Sequence, residues 1–126
     1  MRSIGIAVAL CAASGLLAPS AAGAQVVREN VDGIRNFARV ESTVACAGAI
    51  TADAIAGIKK MGYSSIINLR LASEPGADVE IHTAAAKTVG IRYVHIPFSS
   101  ANPDPAAVDA FLAAITAPGA APAFVH

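Results

Sequence analysis

Residues 64–69, which read Ser64-Ser65-Ile66-Ile67-Asn68-Leu69, form the stretch that decides the fold. Their apolar side chains follow one another almost without a break, which is typical of a strand covered on both faces in a parallel sheet. Upstream, Ile55, Ile58 and Met61 recur at helical spacing. Gly62 separates the two patterns and can close that helix in the left-handed conformation. The segment therefore predicts a helix followed by a buried strand.

The same alternation extends in both directions along the chain. Further strands are predicted at residues 44–47, 91–96 and 123–126, and further helices over residues 78–89 and from Asp104 onward. Thr51 is predicted to cap the first helix, and Asp104 followed by proline is a strong start for the third. The pattern predicts an α/β fold of three layers, a mostly parallel sheet flanked by helices. Ligand sites in such sheets lie beyond the carboxyl ends of the strands.

The amino-terminal residues 1–24 have the composition of a secretory signal peptide. Arg2 precedes an uncharged apolar run over residues 4–17, and small residues at 22–24 suit a signal peptidase. The run is shorter than the roughly 20 residues that a membrane span requires. We therefore expect an exported protein, periplasmic or secreted, with no stable membrane span and with residues 25–126 as one domain.

Charge and cysteine content exclude several kinds of partner and site. Nine basic residues balance nine acidic ones without a basic run, so nucleic acid is not an expected partner. Cys46 is the one cysteine after residue 24 and is predicted to be a small buried apolar residue. The spacings of His82, His95 and His126 match no metal site, and His82 is expected to be solvated or half-buried.

Four segments, taken in order, resemble the bacterial cysteine-dependent dual-specificity and tyrosine phosphatases. They are Asn36-Phe37 with Arg39-Val40, then residues 61–70 (MGYSSIINLR), residues 90–97 (GIRYVHIP) and residues 122–126 (PAFVH). The set is also similar to the phosphatase-like domain of β-lactamase hydrolase-like proteins. The resemblance implies a dual-specificity phosphatase-like fold and hydrolysis of phosphomonoesters through a cysteinyl-phosphate intermediate, with no metal and no cofactor.

The resemblance also implies roles for individual residues. In the family, a histidine matching His126 directly precedes the signature Cys-x5-Arg and orients that loop. We therefore expect a domain that is incomplete at its carboxyl end, inactive as given, with apolar surface open near Phe124. Asp104 is the candidate general acid, or else only a helix cap. Arg70 and Glu74 are expected to brace the phosphate site, or else to form a plain surface ion pair.

Two other functions remain open at this point. The chain could be a non-catalytic exported domain that binds an anion or a protein partner, or a rhodanese-like sulfurtransferase, which also places a cysteine loop after a central strand. For the phosphatase, the expected partner is a phosphorylated protein or a small phosphomonoester. The sequence does not distinguish these two substrates and does not indicate an oligomeric state.

Overall fold

The computed structural model describes residue 23 and residues 25–126. The predicted signal peptide, residues 1–24, therefore falls almost entirely outside the described residues. The elements are β1 (Val26–Arg28), β2 (Ala38–Val40), β3 (Val44–Cys46), α1 (Ala54–Lys60), β4 (Ser65–Asn68), α2 (Val79–Val89), β5 (Arg92–His95), α3 (Pro105–Thr116) and β6 (Ala123–Val125).

The six strands form one mixed sheet in the order β1-β2-β3-β6-β4-β5. The pairs β3–β6, β6–β4 and β4–β5 are parallel, which confirms the α/β alternation predicted from the sequence. The pairs β1–β2 and β2–β3 are antiparallel, and of these three strands only β3 was predicted. The side chains of β1 are exposed, so no apolar alternation marks it; its backbone pairing with β2 defines it.

The sheet is covered on both faces, and the chain thus has three layers. Consecutive residues of β4 point to opposite faces, with Ile66 packed in the core beneath α1 and α2 and Ile67 packed in the core beneath α3. On the first face, the rings of Phe37 and Phe124 stack with centroids 5.9 Å apart, and Tyr63 meets Phe124 edge-on at 5.6 Å. This aromatic cluster joins β6 to the segment before β2.

The last strand lies at the centre of the sheet, hydrogen-bonded to β3 on one side and β4 on the other. Phe124 is 0% exposed, and Val125 is also buried. The expectation of open apolar surface near these residues is therefore wrong. Their neighbours β3 and β4, together with the helices on both faces, already cover them.

The helix boundaries differ from the predictions in detail. Asp53, and not Thr51, stands at the amino-terminal boundary of α1, and it makes no side-chain cap hydrogen bond. Asp104 does cap α3, with its Oδ1 accepting from the backbone N–H of Ala106 at 2.9 Å. Gly90 ends α2 in the left-handed conformation. The predicted capping residue is therefore confirmed for α3 but is wrong for α1.

Candidate active site

The carboxyl ends of the parallel strands meet at one edge of the sheet, and the residue after β6 is His126. Its backbone continues the ladder, since its N–H donates to the carbonyl of Ile67 at 3.0 Å and its carbonyl accepts from the N–H of Leu69 at 2.7 Å. The fold therefore fixes His126 beside the segment that follows β4.

The imidazole of His126 is buried among other rings. Its centroid lies 5.8 Å from that of His82 and 6.3 Å from that of Phe124. Among the described residues, neither ring nitrogen has a hydrogen-bond partner. Burial, reinforced by the nearby His82, Arg70 and His95, lowers the pKa of His126 to about 4. The ring is therefore neutral at physiological pH and can accept a proton or a hydrogen bond at one nitrogen.

His82 is the site residue that sequence reasoning placed wrongly. It was expected to be solvated or half-buried, but it is 0% exposed, whereas its neighbour Ile81 is 61% exposed. The buried face of α2 carries His82 and Ala86, each one residue on from the apolar residues Ile81 and Ala85, whose helical spacing favours the other face. The spacing of four between His82 and Ala86 is itself helical and could have revealed this face.

The environment of His82 keeps its imidazole neutral. Burial lowers the pKa of His82, while Asp78 and the backbone of Ile50 and Ala77 partly oppose that lowering. No contact of the ring nitrogens with the described residues reaches hydrogen-bond geometry. Its ring also meets that of Tyr93 at 6.2 Å. Two neutral imidazoles thus stand side by side behind the carboxyl end of β6.

The loop after β4 is held in place by Asn68, the polar last residue of this buried strand. Its side-chain N–H groups donate to the carbonyl of Ala77 at 3.0 Å and to the hydroxyl of Tyr93 at 2.8 Å, while its Oδ1 accepts from the N–H of Arg70 at 2.9 Å. The Nε2 of His95 lies 2.8 Å from the carbonyl of Arg70. Asn68 and His95 therefore fix the backbone from which Arg70 projects.

Arg70 and Glu74 lie together on this loop. The Arg70 Nη2 to Glu74 Oε1 distance is 3.9 Å, which is long for an ion pair, and the other Glu74 oxygen accepts from the N–H of Leu71 at 2.5 Å. Glu74 therefore shapes the turn at least as much as it pairs with Arg70. The charge of Arg70 is close enough to His126 to help lower the pKa of its ring.

The structure brings Arg70, Glu74 and His126 to one edge but gives Asp104 a separate place. Asp104 is exposed at the start of α3, and its carboxylate contact there is the cap to Ala106. Among the described residues, no hydrogen bond or ion pair joins it to the other three. Its predicted role as general acid stays a prediction.

Cys46 also lies at this edge, opposite Val125, but it does not begin a Cys-x5-Arg loop. It lies at the end of β3 and is exposed, so the prediction of a buried apolar residue is wrong. Ala52 stands where the arginine of a Cys-x5-Arg loop starting at Cys46 would be.

Within residues 25–126, no group of three or more candidate ligands could hold a metal ion. None of the helices described is long and apolar enough to cross a membrane.

The edge as a whole suits the binding of an anion. It combines the guanidinium of Arg70, held on a fixed backbone, with the neutral imidazoles of His82 and His126. Such groups favour a negatively charged ligand through charge-assisted hydrogen bonds, which are stronger than neutral ones.

Comparisons with known proteins agree with this fold and indicate a family. Residues 36–125 match the family described as "Beta-lactamase hydrolase-like protein, phosphatase-like domain". A search of curated proteins finds no match to the chain.

Three solved structures share the fold. Two are of a proposed phosphatase (DUF442) from Shewanella putrefaciens CN-32. They have 25% and 26% sequence identity and TM-scores of 0.62 and 0.60, and the matches cover 78% and 75% of this chain and 66% and 62% of theirs. The third, a proposed phosphatase from Neisseria meningitidis Z2491, has 17% identity and a TM-score of 0.57, with 68% of this chain and 61% of that one covered. This last likeness concerns the fold alone. The chain thus spans slightly under two thirds of the length of the structures it matches.

Proposed function

The chain belongs to the family of phosphatase-like domains of beta-lactamase hydrolase-like proteins, and on that premise we propose that it is the amino-terminal part of a phosphomonoester hydrolase that acts through a cysteinyl-phosphate intermediate. The nucleophile is supplied by the residues that follow position 126 in a longer polypeptide. The substrate is a phosphorylated protein or a small phosphomonoester.

One observation carries the proposal. β6 runs at the centre of the parallel part of the sheet, and its carboxyl end delivers His126 next to the loop of Arg70. A chain that continues from His126 emerges where backbone N–H groups can surround a phosphate, with a cationic side chain beside it. A cysteine in such a turn has a lowered pKa, because the N–H dipoles and the nearby positive charge favour the thiolate.

The roles of the residues follow from this arrangement. The thiolate attacks phosphorus, the bond to the ester oxygen breaks, and a general acid protonates the leaving oxygen; water then releases phosphate and restores the thiol. Arg70, held by Asn68 and His95, attracts the anionic substrate, and Glu74 shapes the loop that carries it. His126 orients the following turn through a neutral ring. Asp104 is the proposed acid, and for that role its carboxylate must release the capping bond that it accepts from the N–H of Ala106.

We also propose that the domain acts outside the cytoplasm after cleavage at residue 24. The apolar run and the small residues at 22–24 support this location. Fractionation of cells that produce a tagged protein, with amino-terminal sequencing of the exported form, tests it; an uncleaved cytoplasmic protein contradicts it.

The experiment for the activity uses a polypeptide that continues past residue 126 as its gene encodes. We expect it to hydrolyse p-nitrophenyl phosphate, with inhibition by vanadate and no loss of rate in EDTA. We expect substitution of the first cysteine after residue 126 to abolish turnover, and Cys46→Ser to leave it unchanged. A stop codon directly after His126 would instead favour the non-catalytic binding domain, and sulfur transfer from thiosulfate to cyanide would favour the sulfurtransferase.

A further inference from the structure

A cleft of about 400 Å³ opens beside the candidate active site, and two arginines line it. Arg35 comes from the turn before β2, and Arg70 comes from the loop after β4. Asn36, Gly48 and Gly76 contribute other parts of the wall. Sequence reasoning assigned no role to Arg35.

Both arginines stand on backbone that the fold holds firmly. The N–H of Arg35 donates to the carbonyl of Ala49 at 3.0 Å, and its carbonyl accepts from the N–H of Gly48 at 2.7 Å. Arg70 is held in the same way by Asn68, at 2.9 Å, and His95, at 2.8 Å. The backbone from which each side chain projects is therefore pre-positioned, which lowers the entropy lost when a ligand binds.

Gly76 allows two segments that line the cleft to lie close together. Gly76 has a φ of +79°, and a Cβ at this position would lie 2.5 Å from the Cβ of Ala49. The loop after β4 can thus approach the segment after β3 only because residue 76 has no side chain. The two walls of the cleft are brought together by this contact.

The charge in the cleft is positive and weakly compensated. No acidic residue lines it, and Arg35 forms no ion pair with any residue in the described range. The contact of Arg70 with Glu74 is 3.9 Å long, and the Nε of Arg70 is buried without a hydrogen-bond partner in the same range. Asp78 belongs to a neighbouring cleft that shares Arg35, Ala49 and Gly76. Two guanidinium groups that line one cleft, one of them with an unpaired N–H, match the oxygens of an oxyanion.

We propose that Arg35 and Arg70 form an oxyanion-binding site that receives a second anionic group, phosphate or carboxylate, of the phosphomonoester substrate. The assignment of that group to a substrate rests on the proposed function, whereas the anion site itself depends only on the geometry of the described residues. Arg35 then determines specificity, since it lies on the far wall of the cleft from the loop of Arg70.

The test measures anion binding to the chain itself, without any need for turnover. Inorganic phosphate and acetate are titrated separately into the ¹⁵N-labelled protein at constant ionic strength, and amide and arginine Nε–H shifts are followed by NMR. We expect saturable shifts at Gly48, Ala49 and Arg70 with phosphate, and Arg35→Gln should weaken binding about tenfold, as loss of a charge-assisted bond implies. Saturation by acetate as well assigns the site to oxyanions in general; saturation by phosphate alone assigns it to phosphate groups.

Lys87→Gln serves as the matched control, because Lys87 is an exposed cation in the last turn of α2. Non-saturable shifts, or equal weakening by Lys87→Gln and Arg35→Gln, would overturn the site. In an active longer polypeptide, Arg35→Gln should raise KM for a bisphosphate but not for p-nitrophenyl phosphate; equal effects on the two substrates would overturn the specificity role. If the longer polypeptide hydrolyses nothing while Arg35 still controls phosphate binding, the proposed function fails and the anion site stands.

Discussion

Acidification from pH 7 to pH 4 is predicted to destabilise the fold through its buried imidazoles. His126 is 6% exposed, and burial together with His82, Arg70 and His95 lowers its pKa to about 4. The pKa of His82 is also lowered, chiefly by burial. In the unfolded chain, both rings take up a proton near the ordinary histidine pKa of about 6.5.

The sign of the effect follows from which state binds the proton. Between about pH 6.5 and 4, the unfolded chain holds a proton on His126 that the native protein does not, so acid favours unfolding. An interval of about 2.5 pH units, at about 1.4 kcal/mol for each, gives a loss of roughly 3 kcal/mol from His126 alone. That is a large part of the stability of a domain of this size, which is typically about 5–15 kcal/mol.

The assay is urea denaturation at a series of pH values, with the free energy of unfolding plotted against pH. The slope between pH 6.5 and 4 should be positive, and His126→Gln should flatten it by an amount that accounts for most of the 3 kcal/mol estimated above. Because the comparison uses slopes, it holds even if the variant is less stable at every pH. His82→Gln should remove a further part of the slope.

Direct titration of the His126 ring by NMR provides the second readout. Its ring proton shifts should stay constant from pH 7 down to about 5. A midpoint near 6.5, or a slope that His126→Gln leaves unchanged, would refute the interpretation of His126 as a buried neutral ring.

Three substitutions test the packing and the loops around the site. Phe124→Ala should lower the free energy of unfolding by about 3–5 kcal/mol, because the ring is fully buried in the aromatic cluster. Leu112→Ala, at a position 52% exposed, should lower it by less than about 1 kcal/mol. Similar losses for the two variants in urea denaturation would contradict the packing described. Asn68→Ala should cost about 2–3 kcal/mol and speed hydrogen exchange at the Arg70 amide, whose bond to Asn68 Oδ1 is lost; unchanged exchange would show that the loop does not depend on Asn68. Asp104→Ala should cost about 1 kcal/mol through loss of the cap, while Asp104→Asn keeps it. If Asp104 is the general acid, the asparagine variant of an active longer polypeptide keeps its stability but loses rate, and full activity would exclude that role.

The elements that sequence reasoning found are those whose burial shows as a local pattern. The apolar run through Ile66 and Ile67 marked a strand covered on both faces, and the Asp104-Pro105 pair marked the start of α3. The strands β1 and β2 left no such trace, because backbone pairing, and not an apolar stripe, defines them. The proportion of antiparallel pairing in the sheet was missed for the same reason.

The candidate site was predicted only in part. Arg70, Glu74 and His126 were identified through a resemblance, and the fold brings them to one edge. His82 and Arg35 were missed because their importance arises from tertiary contacts: the first depends on which face of α2 meets the sheet, and the second on the approach of the loop of Gly76 to Ala49. Asn68 carried a readable signal, since a polar side chain inside a buried strand requires hydrogen-bond partners.

The central claim is that the carboxyl ends of β4 and β6 form the phosphate site, and a crystal structure with tungstate tests it most directly. The crystals should contain the polypeptide continued past residue 126. Tungstate is predicted to lie against the backbone that follows His126, on the side of Arg70. Tungstate bound at the opposite edge of the sheet, with the edge at His126 empty, would contradict the account.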